Sequence, residues 1–415
     1  MRRVKPLIHI SYRQSIAFAA FLVFYEFLTY ISNDMIMPGM HQVIHDFHAG
    51  ESNIASSVTA FMLGGSSLQL FLGPLADAYG RRRMMLIGVV VFLISTLYLS
   101  ICPNMHLFLI GRFFQGMGIC FIGAVGYATL QDIFNDTDAI KLTAIMANLS
   151  IIAPLLGPLL GAAIVYHGSW RFIFSIIGAL TGFTFWGLWR FMPEPMGQIN
   201  TDGKLIAKES FELKKMIQNY KTLLQNKYFL TTNIMYGLMS IPCMIWIALS
   251  PVMLISTEKN SLMVYGLWQI PMFSSFIFAN TLLQKWIEKI GIERLLNGGT
   301  LIVISSLIMS LLSLMVFGLQ VYSLIAIFVV YFFGYAIASA PIYRKLFSAT
   351  GVSKGTTGAL ISLINMLIQS LGIEFGNIIF KGQHYLYLGY MFFSLGLIIA
   401  GLFVVMKKLS VQSTQ

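Results

Sequence analysis

The sequence predicts an all-α integral membrane protein, with twelve transmembrane helices in two pseudo-symmetric six-helix bundles. Three observations carry that expectation. Of 415 residues, 57% are hydrophobic and only 10% charged, where a soluble domain carries roughly a quarter, so most of this surface has to face lipid. The apolar stretches reach the length of about 20 residues that crosses the hydrocarbon. A polar interruption in mid-chain then divides them six and six.

The twelve stretches run over about 15–43, 53–77, 83–101, 106–134, 139–165, 169–192, 227–256, 263–285, 295–317, 321–347, 353–381 and 384–406. Backbone amides in lipid must be satisfied within the segment, so these runs are helices. The alternating segments of ~10 residues that make a β-barrel are absent. Between the sixth and seventh helices lies the longest polar stretch, 193–226, with Gly197, Asp202, Gly203 and a cluster of lysines. Its second part, Lys208 to Tyr220, carries Phe211, Leu213, Met216 and Ile217 in the pattern of an amphipathic helix lying on the cytoplasmic face. The expected domains are an N-terminal bundle over 1–192, this linker over 193–226, and a C-terminal bundle over 227–415.

A net charge of +11 raises nucleic acid as a partner, and the location of the charge argues against it. With both termini cytoplasmic, 23 of the 27 Lys and Arg fall in cytoplasmic segments. Arg171, Lys259 and Lys381 fall outside, and Arg112 lies within a helix. That bias is the positive-inside rule, and it matches the charge to anionic lipid. The basic start (Arg2, Arg3, Lys5, Arg13) precedes an apolar run far longer than a signal-peptide core, so it reads as the approach to the first span. Cys102, Cys120 and Cys243 have no metal-like spacing and read as small packing residues.

Two intramembrane acids stand out on the first helix, Glu26 and Asp34. A carboxylate at mid-helix costs ~2.5–3.5 kcal/mol on insertion scales, so such residues face a cavity or a partner. Eight positions separate them by about 12 Å along the axis and roughly 80° around it, so one broad face presents both. Tyr30 falls between them. Arg112 is the base inside a helix core. It keeps its proton and offers a rigid fork of donors, which nearby carboxylate or carbonyl groups must satisfy. It either tunes a first-helix acid or clamps the first helix to the fourth; both roles make it hard to replace. With both acids ionised, the three groups sum to −1, a charge that takes a proton or a cation. Carboxyl groups withdrawn from water exchange protons nearer neutral pH than exposed ones.

Other patterns weigh less. His41, His45 and His48 would need a convergent set of further ligands to hold metal; at the outer end of the first helix they read as surface residues. Gly351-Val-Ser-Lys354-Gly355-Thr-Thr has the wrong spacing for a phosphate loop and reads as the short turn before the eleventh helix. No His-Glu-x-x-His or Gly-x-Ser-x-Gly pattern appears, which argues against a membrane-embedded enzyme.

The two halves show a faint repeat. Gly73-Pro-Leu-Ala-Asp77-Ala-Tyr-Gly80-Arg-Arg-Arg83 follows the second helix, and Gln284-Lys-Trp-Ile-Glu288-Lys-Ile-Gly291-Ile-Glu-Arg294 follows the eighth, with acid, glycine and base matched at an offset of 211 residues. Paired six-helix halves with a site at the midplane are a transporter architecture. The first of these loops resembles the signature loop of the major facilitator superfamily. Arg112-Phe-Phe-Gln115-Gly116-Met-Gly118 is similar to that family's fourth-helix pattern. Ala153-Pro154-Leu-Leu-Gly157-Pro158-Leu-Leu-Gly161 resembles the antiporter motif of its drug/proton branch. Tyr25 to Met40 and Cys120 to Tyr127 are similar to multidrug transporters of that branch. One departure is Ala78, where the loop usually has a base; Asp77, Gly80 and Arg81 keep the pattern.

The resemblance implies a proton-driven antiporter in the bacterial cytoplasmic membrane, exporting lipophilic neutral and cationic drugs. It implies no cofactor, a monomer, and small-molecule drugs, protons and membrane lipids as partners. Proton coupling is expected at Glu26, Asp34 and Arg112. The drug pocket is expected to use Glu26, Tyr30, Asn33, Asp34, Ile119, Met146 and Ser150, with Met235, Met239 and Gln269 from the second half. Conformational roles fall to Gly73, Asp77, Gly80, Arg81, Gln115, Gly116, Pro154, Gly157, Pro158 and Gly161. Glu26, Asp34 and Arg112 have uncharged counterparts 211 residues on, Gly237, Ile245 and Ser323, so proton chemistry is expected in the first half. Glu374 is either a second-half titrating group or an outer-interface residue. The alternatives are an uptake symporter for a small metabolite, a membrane-embedded enzyme, or a non-transporting receptor.

Overall fold

A computed structural model describes residues 6–50, 52–201, 203, 205–208, 211–251, 253–254, 262–317, 321–380 and 385–412. Arg2, Arg3, Lys5, Asp202, Lys259 and Lys381, named above for their charge or turn position, lie outside these residues. Two compact units divide the chain. The first joins Met1–Tyr220 to Val352–Ser362, and the second joins Lys221–Gly351 to Leu363–Gln415.

In the first unit, α1 spans Tyr12–Met35, with Ser11 as its cap: the Ser11 Oγ accepts from the Gln14 amide at 3.1 Å. The expected single helix to residue 43 is interrupted by a 3₁₀ turn, Met37–Gly39, before α2, Met40–Asp46. Pro38 has no N–H to continue the α-helical ladder. The second expected span is likewise two helices, α3 (Ser52–Ser67) and α4 (Gln69–Tyr79), bent by 41°. The bend follows Gly64-Gly65-Ser66-Ser67, a weak helical run.

Helix α5, Arg81–Ile101, starts after Gly80 in a left-handed conformation, φ +100°. Helices α6 (Met105–Phe121) and α7 (Tyr127–Ile133) are one span joined by a π-helical turn, Ile122–Gly126. Asn135 caps the long α8, Asp136–His167, which bends by 43° about Pro154. Helix α9, Arg171–Phe191, packs on α5 and α1. The amphipathic linker helix is α10, Leu213–Gln225, displaced toward the C-terminus from the Lys208–Tyr220 of the hydrophobic pattern.

The second unit holds α11 (Lys227–Pro251), α12 (Leu262–Ile290), α13 (Ile292–Phe317), α14 (Val321–Phe347), α15 (Lys354–Phe380, from Leu363 on) and α16 (Tyr385–Gln412). Its core is aromatic: Tyr331 stacks on Tyr335 at 5.8 Å, and Trp246 and Phe392 both meet the Phe328 ring edge to face or nearly so. Among the described residues, nine spans are long and apolar enough to cross a membrane, and the two bent pairs make eleven. The 29-residue α12 completes the twelve.

Candidate functional site

Glu26 sits in the middle of α1 with no exposed surface. Its Oε1 accepts a hydrogen bond from the Tyr127 hydroxyl at 2.8 Å and one from Ser150 Oγ at 3.3 Å. Tyr127 is the first residue after the π-helical turn, an irregularity common at functional sites. Ser150 lies on α8 and also donates to the carbonyl of the buried Met146, one turn back. The second carboxyl oxygen, Oε2, is buried without a hydrogen-bond partner among the described residues. An orphaned buried polar atom costs about 1–3 kcal/mol, more if charged, so it calls for a functional explanation.

Asp34 lies two turns further on, half-buried, and is wired differently. Asn33 Nδ2 donates to its Oδ1 at 3.3 Å, while Asn33 Oδ1 accepts from Arg112 Nη2 at 2.6 Å. The amide thus connects the acid to the base. The rest of the fork is satisfied by neutral oxygens: Ser57 Oγ at 3.2 Å from Nε, and Gln115 Oε1 at 2.6 Å from Nη1. Gln115 in turn donates to Thr96 Oγ1 at 3.0 Å, and the Phe61 ring lies 4.5 Å below the guanidinium. The sequence calls for carboxylate or carbonyl groups beside Arg112. Among the described residues no carboxylate is within ion-pair distance of it; side-chain amide carbonyl oxygens from α1 and α6, with a hydroxyl from α3, satisfy it.

Helix α8 meets α1 at the acid itself. A methyl on Gly157 would lie 2.6 Å from Asp34 Cβ, and one on Gly161 only 1.9 Å from the Met35 carbonyl oxygen. These two glycines therefore set the helix separation at this point, on either side of Pro158. Gly116 does the same for α6 against α3, facing the Phe61 carbonyl. Tyr30 is half-buried between the two acids, and Ile119 is half-buried on α6 near Gly65.

A second cluster lies at the other end of the unit. Arg81 forms ion pairs with Asp77 at 3.0 Å and Asp132 at 2.9 Å, all three nearly inaccessible. Lys354 pairs with Asp132 at 3.0 Å and donates to the Gln131 carbonyl at 2.5 Å. Asp77 Oδ2 also accepts from Ser353 Oγ, from the Thr356 amide at 3.2 Å and from Thr356 Oγ1 at 3.3 Å. It therefore caps the first turn of α15, where a carboxylate is favoured by the free amides. Gly73 permits the approach: a methyl there would lie 2.3 Å from the Gly355 oxygen. Glu194 caps α5 with hydrogen bonds from the Arg81 and Arg82 amides at 2.9 and 3.0 Å. Two acids and two bases make this latch electrically neutral.

The model of the Major Facilitator Superfamily matches residues 22–377. The chain belongs to the Major Facilitator Superfamily. It is a membrane transporter, not an enzyme. It is similar to "Multidrug transporter MdfA" of Yersinia pestis bv. Antiqua (strain Angola), 39% identical over 366 residues, 88% of each chain. The protein of that name in Escherichia coli O157:H7 is 39% identical over 362 residues, 87% of this chain and 86% of that one. The one in Edwardsiella ictaluri (strain 93-146) is 40% identical over 365 residues, 88% and 87%.

Superfamily members of known structure share the fold at low identity. The human organic anion transporter MFSD10 (TETRAN) superposes with a TM-score of 0.71 at 13% identity, covering 93% of this chain and 99% of its own. The proton:xylose symporter XylE gives 0.72 at 15%, covering 95% of each. Against that fold, the second-unit candidates are Met235 and Met239, both fully buried on α11, and Gln269 on α12. Gln269 accepts from Trp246 Nε1 at 2.6 Å and donates to Ser250 at 3.4 Å. Glu374 is exposed on α15, and His41 and His45 on α2 and His48 just after it are exposed. Ser57, Tyr127, Asp132, Glu194, Ser353, Lys354 and Thr356 were not among the sequence candidates. An acid or lysine at a span's end is the only signal that Asp132 and Lys354 give, and it is shared with ordinary topogenic charges.

Proposed function

We infer that the chain is a proton-coupled multidrug exporter of the bacterial cytoplasmic membrane, driven by the proton gradient without a cofactor and acting as a monomer with both termini in the cytoplasm. The similarity to multidrug transporters over 88% of the chain supports the drug class. The observation that carries the mechanism is the contrast between two acids on one helix: Glu26, with an orphaned oxygen, and Asp34, tied through Asn33 to Arg112.

With both acids ionised, the site and Arg112 sum to −1. A proton on Asp34 removes its hold on the Asn33 amide and changes the field at Arg112. A lipophilic cation takes the place of that proton near Glu26; a neutral drug acts by preferring the deprotonated arrangement. Ligand and proton exclude each other only through differential affinity for the two states. Tyr30, Asn33, Ile119, Met146 and Ser150 are the drug-contact residues of the first unit in this reading; Met235, Met239 and Gln269 are the candidates of the second. The α1–α8 contact at Gly157 and Gly161 transmits the change to a helix already bent at Pro154, and the Asp77–Arg81–Asp132–Lys354 latch opens and closes with it.

The test is proton release from inverted membrane vesicles on addition of chloramphenicol, a tetraphenylphosphonium salt, or a sugar. Release with both drugs, none with sugar, and none in Asp34→Asn supports the reading. Proton uptake from the medium driven by sugar, with no release on adding either drug, makes the protein an uptake symporter instead.

A further inference from the structure

We propose that α10 is a binding surface for anionic phospholipid, and that lipid seated on it holds the Asp77 latch closed. This goes beyond the drug reading and stands independently of it.

Three side chains of α10 carry the surface. Leu213, Ile217 and Leu224 are 59%, 63% and 47% exposed, and helical geometry places them within about 40° of one another. Lys214 and Lys221, both exposed, lie just beside this stripe. An aliphatic stripe bordered by lysines is the form that seats in a headgroup layer and attracts anionic lipid. The helix is also at the right level. Asn226 alone separates it from the start of α11, which crosses the membrane.

The adjoining side of α10 touches the latch. Pro74 has no N–H, so the Leu70 carbonyl loses its intrahelical donor, and the Tyr220 hydroxyl donates to it at 2.5 Å. Glu212, Lys215, Met216 and Asn219 line a narrow cleft whose far wall is Asp77 and Thr356. One short helix therefore presents an exposed lipid-type stripe and walls the groove beside the Asp77–Thr356 hydrogen bond. Lipid that fixes α10 keeps that wall in place and water away from the bond.

The experiment uses the full-length protein in vesicles of phosphatidylethanolamine, with and without phosphatidylglycerol. A polarity-sensitive fluorophore on Ile217→Cys reports on the stripe, and hydrogen exchange reports on the Thr356 amide. In the wild type, phosphatidylglycerol should slow Thr356 exchange, and the fluorophore should shift to the blue. Lys214→Gln and Lys221→Gln should each weaken the response by about fivefold, the worth of one lysine near an anionic surface, and high salt should remove it. Wild-type exchange that is the same in both vesicle types overturns the proposal without any variant. So does a lipid response that Lys214→Gln with Lys221→Gln leaves intact.

Discussion

Glu26→Gln separates charge from shape at the site. The amide oxygen can accept from Tyr127 and Ser150 as Glu26 Oε1 does, and the amide nitrogen takes the place of the orphaned Oε2. Only the charge is lost. No cation among the described residues pairs with Glu26, so its charge is available to a ligand. At about 5 Å and an effective dielectric of 20, that charge is worth about 3 kcal/mol to a bound cation; at a dielectric of 40, about 1.7 kcal/mol. Cation affinity should therefore fall by roughly 15- to 200-fold. A neutral drug, which feels no such attraction, should keep its affinity within about threefold, less than 1 kcal/mol. Equilibrium binding of tetraphenylphosphonium and chloramphenicol to purified protein measures both. Lowering the pH should weaken wild-type cation binding, because protons compete for the same negative site, and this pH effect should shrink in Glu26→Gln. Cation affinity within twofold of wild type in the variant would refute the assignment of Glu26 to charge recognition.

Arg112→Met leaves Asn33, Gln115 and Ser57 facing an apolar chain, and breaking so buried a charged network costs about 3–5 kcal/mol; thermal unfolding in detergent should drop by many degrees, and Arg112→Lys should recover little of it, since an ammonium lacks the fork. Gly161→Ala puts a methyl 1.9 Å from the Met35 carbonyl oxygen, so α8 has to move about 1.5 Å to reach an ordinary carbon–oxygen contact of about 3.4 Å; overpacking of this kind costs about 1–3 kcal/mol, and drug-driven proton release should fail in vesicles even where protein accumulates. Asp132→Asn leaves Arg81 and Lys354 with one acid between them, so hydrogen exchange at Lys354–Thr357 should rise by at least tenfold, the effect of about 1.4 kcal/mol; unchanged exchange there would show that the latch is held by the Asp77 cap alone.

The spans were legible because the cost of exposing polar backbone to lipid leaves a 20-residue apolar signature. The break before Gln69 and the π-helical turn at Ile122–Gly126 were not, since hydropathy is blind to backbone torsion. Glu26, Asp34 and Arg112 could be named from sequence because each is a charge where charge is expensive. The cage around Arg112 could not. Ser57, Asn33 and Gln115 lie 55, 79 and 3 residues from it, and only Gln115 is close enough in sequence for helical geometry to suggest it. The latch was half visible. Its Asp77 and Arg81 belong to a recognisable loop, but Asp132 and Lys354 come from distant helix ends, and the chain between Ser353 and Thr356 reads as an ordinary turn until the Thr356 amide and the two hydroxyls are seen on Asp77.

Satisfying Arg112 with neutral oxygens has a consequence for the switch. A direct Arg112–Asp34 ion pair would hold the acid ionised and resist protonation, since an opposite charge within a few ångströms favours the charged form. Through Asn33 the same two charges interact at longer range, with a dipole between them that can turn when Asp34 gains a proton. Arg112 keeps its hydrogen bonds to Ser57 and Gln115 in either state, because those two do not depend on Asp34. The base can therefore be buried without a carboxylate partner, and the acid can change charge without stranding the base. Replacing Asn33 with Asp would give Arg112 a carboxylate partner of its own and set a like charge beside Asp34, which disfavours the ionised form of that acid, so drug-driven proton release from vesicles should fall.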